Sequence, residues 1–374
     1  MMERRRLHIG WLWSGIVLML LAACSSSDDN GMEEKQPTML TVYVYSPDRP
    51  MLIRSEVGEV DASVAEAQIN KLQIWVFETE TGNKVASLTT TETSLLNVSE
   101  GAAFKMIVND DFVQRKPRVD VYVLANVTET TCGCSFDENS TRDDLDDDAK
   151  LGSGKFGLLS LVSSVPDAGL PMAGVLKDQP VIGDAPVLRI GTQSNIATVS
   201  LARAVSKVRF VFANTQTENT PTLCIKKIQL DKEMIPVEEY LIPQNRSLIY
   251  NADFASLLPS WINEVTPVED PMIYIYDQQE AQVYEDLITQ SPLTKVGPYY
   301  LHESDKRLSG KITYTIAEGS DKEASFQMDA AGDFTRNHTW IVYAYHAGNG
   351  YLQLNTFFLK DWTTKEVDHG VYNW

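Results

Sequence analysis

Cysteine has the most chemistry to offer in this chain, and its four copies fall into distinct settings. Cys24 closes the run Leu21-Ala22-Ala23-Cys24, which follows Arg4, Arg5 and Arg6 and an apolar stretch from Ile9 to Leu20. Basic, apolar, small, then cysteine is the order read by a lipoprotein signal peptidase. The basic end is held by anionic lipid, the short apolar run enters the bilayer, and small residues fit the peptidase at the cut. Cutting before Cys24 leaves a thiol to take a diacylglyceryl group and an amine to take an acyl chain. Cys24 is therefore the expected lipidation site, and several acyl chains together anchor firmly to a membrane. The apolar run is too short for a comfortable transmembrane span, which disfavours an uncleaved anchor helix.

The other chemistry-bearing residues form no constellation. Cys132-Gly133-Cys134 is a C-x-C and not the C-x-x-C of redox or zinc sites, and with Cys224 it leaves three thiols that cannot all pair. One disulfide to Cys224, a strained short ring and free thiols all remain open. Five histidines show no zinc-protease spacing, and His338 and His346 read as ordinary residues at the ends of a strand. No G-x-S-x-G elbow and no phosphate loop is present. The acid-rich stretch from Asp137 to Asp148 invites a calcium reading, but it lacks the central glycine and closing glutamate of an EF-hand and is expected to be a solvated loop. Trp261, Tyr299, Tyr300 and Tyr351 lie near polar segments and could line a glycan-binding surface, although such residues more often fill a sandwich core. No catalytic residue, metal ligand or cofactor site emerges, so the expectation is a protein that is not an enzyme.

Positioning elements follow from length and pattern. The chain has 374 residues, of which 43% are hydrophobic, enough for more than one core. Removing Glu3, Arg4, Arg5 and Arg6 with the leader takes the formal charge from -19 to -21. Such a surface repels phosphate and disfavours nucleic-acid binding. Period-two runs rich in β-branched and aromatic residues mark strands at Leu40 to Tyr45, Leu72 to Phe77, Val119 to Val127, Val199 to Ala213, Met272 to Tyr276, Lys311 to Ile316, Trp340 to Tyr345 and Leu352 to Leu359. Asp253 to Leu258 and Glu280 to Ile288 could each hold a turn or two of helix, and the proline-punctuated stretch from Pro166 to Pro186 reads as loop. The fold class is all-β, built as antiparallel sandwiches. The expected layout is a signal peptide over 1–23, a polar tether over 24–37, and two domains over 38–195 and 196–374. The tether, beginning Ser25-Ser26-Ser27-Asp28-Asp29-Asn30, resembles the acidic export signal that sends some lipoproteins to the outer face of the outer membrane.

Leu170-Pro171-Met172-Ala173-Gly174, followed by Leu201-Ala202-Arg203-Ala204-Val205-Ser206-Lys207-Val208, resembles the fimbrillins, subunits of type V pili. Ile69 to Phe77 (INKLQIWVF), Tyr122 to Asn126 (YVLAN), Phe334 to Tyr343 (FTRNHTWIVY) and Leu359-Lys360-Asp361-Trp362 match in family order along nearly the whole mature chain. The resemblance implies two β-sandwich domains of transthyretin-like topology and no catalysis. It also implies a partner set: other pilin subunits, a trypsin-like processing protease, the outer membrane through the lipid anchor, and a host or bacterial surface ligand. In similar subunits the first strand is cut away and an incoming subunit supplies a donor strand, a form of β-strand addition. Carried over, the removable strand is Met39 to Tyr45, represented by Met39, Leu40, Val42 and Val44, and the cut falls between Arg54 and Ser55. Arg49 is the poorer site because Pro50 follows it. Donor material would come from Leu352, Leu354, Phe357 and Leu359, with Val367 to Trp374 as a further source. Only Thr363 to Trp374 follow Trp362, which fits a tip subunit that receives a strand better than a stalk subunit that gives one. The rival expectation is a surface glycan-binding lipoprotein that never polymerises.

Overall fold

The computed structural model describes residues 36–46, 64–92, 101–151, 165–231, 234, 236, 239–242, 255–257, 260–271, 292–327 and 336–359. The expected strand at Met272 to Tyr276 and helix at Glu280 to Ile288 lie outside them. Alternation of apolar and outward residues produces β1 (Met39–Tyr45), in which Leu40, Val42 and Val44 are buried. A single helical turn, α1 (Val64–Ala67), precedes β2 (Leu72–Glu78), β3 (Lys84–Thr90), β4 (Ala102–Ile107), α2 (Asp110–Arg115) and β5 (Val119–Ala125). Next come α3 (Glu129–Cys132), α4 (Arg142–Asp147) and β6 (Lys150–Leu151). The short strands β7 (Met172–Gln179), β8 (Val181–Asp184), β9 (Val187–Ile190), β10 (Thr198–Ser200) and β11 (Ala202–Arg203) complete the first half. The second half runs through β12 (Ser206–Thr215), β13 (Leu223–Leu230), β14 (Glu239–Tyr240), β15 (Ala255–Ser256) and β16 (Pro267–Val268). It ends with β17 (Thr294–Leu301), β18 (Ser309–Ile316), β19 (Lys322–Gln327), β20 (Thr339–His346) and β21 (Leu352–Leu359).

The protein is all-β. Strands β4, β1, β9, β10 and β8 form one sheet, and β11-β7-β5-β2-β3 forms a second whose pairings are all antiparallel. Leu40, Val42, Val44, Phe104, Met106 and Leu188 of the first meet Leu72, Ile74, Val76, Val121 and Val123 of the second in one core. The later strands repeat the plan. Here β12 stands between β20 on one side and β16 and β17 on the other, while β15-β13-β18-β19 is antiparallel throughout, and the two sheets share a second core. Each half thus holds one antiparallel sheet and one mixed sheet, because the first strand of each half lies parallel to a late one: β1 to β9 and β10, β12 to β20. Long connections through the opposite sheet permit that parallel pairing. The changeover between sheet pairs falls between Arg203 and Ser206, since β10 and β11 still pair with strands of the first half.

Two stretches expected as loops are ordered. Pro166 to Pro186 contains β7 and β8, and the small residues Ala173 and Gly174 explain how. A Cβ on Gly174 would lie 2.4 Å from the Ser200 carbonyl oxygen, so glycine is needed for the chain at β10 and β11 to come this close. Ala173 and Met172 then pair with Ala202 and Arg203. Asp137 to Asp148 contains α4, started by a capping box between Thr141 and Asp144. Leu145 is fully buried, and the Tyr122 hydroxyl donates to the Asp146 carboxylate at 2.9 Å. The acids face water while one leucine seals the outer face of the second sheet. That outer face, with Trp75, Phe77, Tyr122 and Leu124, forms a third cluster with Ala204 and Val205 at the changeover and Leu241, Ile242 and Tyr300 beyond it.

Candidate functional site

The expected removable strand lies in the middle of its sheet. On one side β1 pairs antiparallel with β4, from Met39 opposite Ile107 to Val44 opposite Ala102. On the other it pairs parallel with β9 over Met39 to Thr41 and with β10 over Tyr43 to Tyr45. Backbone bonds continue past both ends: Val108 N–H donates to the Thr38 carbonyl at 3.0 Å, and Leu201 N–H to that of Tyr45 at 2.8 Å. Leu40, Val42 and Val44 are at most 2% exposed, each contributing about 1.5–3 kcal/mol of burial. Met39 is only partly buried and stands between Ile107 and Val187. Without β1, the sheet would present unpaired backbone on the flanks of β4 and of β9 and β10, above three vacant aliphatic pockets.

Chain downstream of β1 is held separately. Arg54 and Ser55, the expected cut, lie outside the described residues, as does Cys24. At α1, Glu66 is 2% exposed, and its carboxylate receives the Lys207 ammonium at 3.1 Å and the Tyr300 hydroxyl at 2.6 Å. Arg203 Nε donates to the Glu66 carbonyl at 3.2 Å. Burial lowers the Lys207 pKa to about 8 against the opposing pull of Glu66, and burial next to the same carboxylate raises that of Tyr300. Asn126, fully buried at φ 60°, donates to the carbonyls of Gln68 and Leu170 and accepts from the Asn70 N–H. The segment entering β2 is thus fastened to both halves without help from β1.

The proposed donor residues are engaged. Leu352, Leu354, Phe357 and Leu359 lie on β21, which pairs antiparallel with β20 along its whole length; Leu352 and Leu354 pack against the second core. Val367 to Trp374 lie outside the described residues. Of the four aromatic residues singled out from the sequence, Tyr299 and Tyr300 are core residues, 3% and 4% exposed, whereas Trp261 and Tyr351 are 63% and 65% exposed. His346 is buried, hydrogen-bonded to Asn214 and to the Gly350 N–H. Cys132, Cys134 and Cys224 form no disulfide, and burial pushes the Cys132 thiol up to about 12, which makes it inert. Among the described residues no group of three His, Cys, Asp or Glu is placed to hold a metal. Among them, too, no helix is long and apolar enough to cross a membrane. Sequence reasoning missed the Glu66, Lys207, Tyr300 and Arg203 cluster; the one available signal was a lysine and an arginine inside otherwise apolar strand patterns.

No protein-family model and no curated protein matches the chain. Among solved structures it is similar to the tip fimbrial protein Mfa3 from Porphyromonas gingivalis with a C-terminal truncation, at 14% identity, covering 86% of this chain and 99% of that one with a TM-score of 0.46. It is also similar to candidate cell adhesion proteins from Parabacteroides distasonis (14% identity, 87% and 98% covered, TM-score 0.49) and Bacteroides eggerthii (15%, 87% and 97%, TM-score 0.49). Values in this range carry no argument about function, which has to come from the geometry around β1.

Proposed function

We propose that this chain is a fimbrillin-like subunit of a surface fimbria, exported as a lipoprotein on Cys24 and assembled by losing β1 after cleavage between Arg54 and Ser55. The observation that carries the reading is the placement of β1. A strand close to the chain's start occupies the centre of a sheet, with hydrogen-bonding partners on both edges and three aliphatic side chains in the core. Its removal leaves a groove that another strand with aliphatic residues at alternate positions refills, restoring main-chain bonds and side-chain burial together. The buried Glu66 cluster supports the same reading, because it keeps the processed chain fastened once β1 has gone. With Leu352 to Leu359 already engaged on β20, the subunit is an acceptor of strands, the role of a tip subunit.

Limited trypsin digestion of the folded, unlipidated protein, followed by mass spectrometry and sizing, tests this. The expected product is cut after Arg54, releases the β1 fragment, stays folded, and then binds a synthetic peptide of residues 38–46. A resistant monomer, or a cut body that ignores the peptide, would overturn the proposal.

A further inference from the structure

The position that β1 occupies has a chemistry of its own on the side away from the core. Leu40, Val42 and Val44 fill the core, so Met39, Thr41 and Tyr43 stand on the other face of the same strand. Register gives each of them two neighbours. Met39 lies between Ile107 of β4 and Val187 of β9, Thr41 between Lys105 of β4 and Arg189 of β9, and Tyr43 between Ala103 of β4 and Thr198 of β10. From the Met39 end onward, the flanks are aliphatic, then cationic, then small.

The cationic pair stands out in a chain of formal charge -19. Lys105 and Arg189 are both exposed, and among the described residues neither has a carboxylate partner. Asp184, diagonal to Arg189 on β8, is held by Lys116 at 2.8 Å. Arg189 also lines an open hollow with Ile182, Gly183, Val187 and Gln193, which leaves its guanidinium room to turn. The backbones that carry the two cations are two interstrand steps apart, about 10 Å, with β1 between them. At that midpoint β1 offers only a neutral threonine, 3% exposed.

We propose that the strand that takes the place of β1 comes from a different subunit and carries a carboxylate at the Thr41 position, paired with Lys105 and Arg189. This deepens the strand-exchange reading and rests on it. A glutamate there is the direct cross-strand neighbour of both cations, the arrangement in which opposite charges stabilise a sheet. Its side chain lies on the face away from the core, between two exposed residues, so its charge keeps contact with water and avoids the cost of burial. Aliphatic residues on either side of it fill the Leu40 and Val42 pockets. This chain's own C-terminal strand is a poorer match: with its leucines in those pockets, Leu352-Gln353-Leu354 brings a neutral glutamine between the cations. Val367-Asp368-His369 supplies an acid but sets an imidazole in the Val42 pocket. Threonine in β1 fits the same logic, since the strand that must leave is the weaker occupant and the acidic donor the stronger.

The test compares Thr41→Glu with Thr41→Gln, which differ in charge and hardly in shape. In the intact protein at low ionic strength, the glutamate variant should unfold at the higher urea concentration. That advantage should shrink at about 1 M salt, where the screening length falls to about 3 Å, and vanish when Lys105→Gln and Arg189→Gln are added. In a second arm, protein cut after Arg54 and freed of β1 is titrated with peptides of residues 38–46 carrying threonine, glutamine or glutamate at position 41. The glutamate peptide should bind about fivefold more tightly than the glutamine peptide. Equal affinities, equal urea midpoints, or a preference that survives loss of both cations would each overturn the proposal. Binding of no peptide at all would sink strand exchange and this donor with it, an outcome told apart by the urea comparison, which reads the pairing of the two cations in the intact chain.

Discussion

Glu66 sits where three chain segments meet, and its carboxylate is the counter-charge for a lysine that is 1% exposed. Breaking a buried pair by removing one partner leaves the other charge uncompensated, a loss of about 3–5 kcal/mol. Glu66→Ala should therefore destabilise the protein by about that amount in urea unfolding, and the double variant Glu66→Leu with Lys207→Met should recover much of it. A loss below about 1 kcal/mol for the single variant would mean that the pair is not buried as described. Residue-scale legibility was uneven. The sequence marked Gly174 and Asn126 as parts of motifs, yet why each must be what it is depends on partners far along the chain, the Ser200 carbonyl for one and those of Gln68 and Leu170 for the other. The cleavage pair Arg54 and Ser55 has no described geometry to weigh.

At the scale of elements, the strength of period two decided what could be read. β1, β2, β5 and β20 stand close to where alternation placed them, because each buries one or both faces, and β21 coincides with its expected span. β13 escaped notice for a physical reason: a bulge between Ile225 and Lys227 shifts its inward residues from Leu223 and Ile225 to Ile228 and Leu230, which breaks the alternation. Edge strand β3 (KVASLTT) and the acid-rich α4 were hidden by polar composition, with a single buried leucine marking the helix. For β1 the position of each side chain makes a sharp contrast. Val42→Asp puts a carboxylate into the first core and should abolish folding or lower stability by more than 4 kcal/mol, whereas Tyr43→Asp, on the outward side of the same strand, should cost under about 1 kcal/mol. Comparable effects at both positions, measured by chemical unfolding, would show that β1 is not seated in this register.

For the whole molecule, the two pairs of sheets are joined by more than a linker. The outer face of the second sheet forms one cluster with Ala204, Val205, Leu241, Ile242 and Tyr300, β6 pairs with β14 across the changeover, and Lys207 and Tyr300 donate to the Glu66 carboxylate. From Thr38 onward the described residues belong to one compact unit. Unfolding should accordingly be a single transition, with far-UV circular dichroism and tryptophan fluorescence giving the same midpoint; two separated midpoints would show that the halves melt independently. This coupling could not be read from the sequence, which suggested two cores but carried no sign that a shared third cluster lies between them. A different consequence follows from the central seat of β1. Under the proposed exchange of β1, the protein would divide into a large receiver and a seven-residue key, MLTVYVY. The receiver, expressed alone, would be a ready half of a split reporter, silent until the key, fused to any cargo, clicks into place and fixes that cargo to its surface.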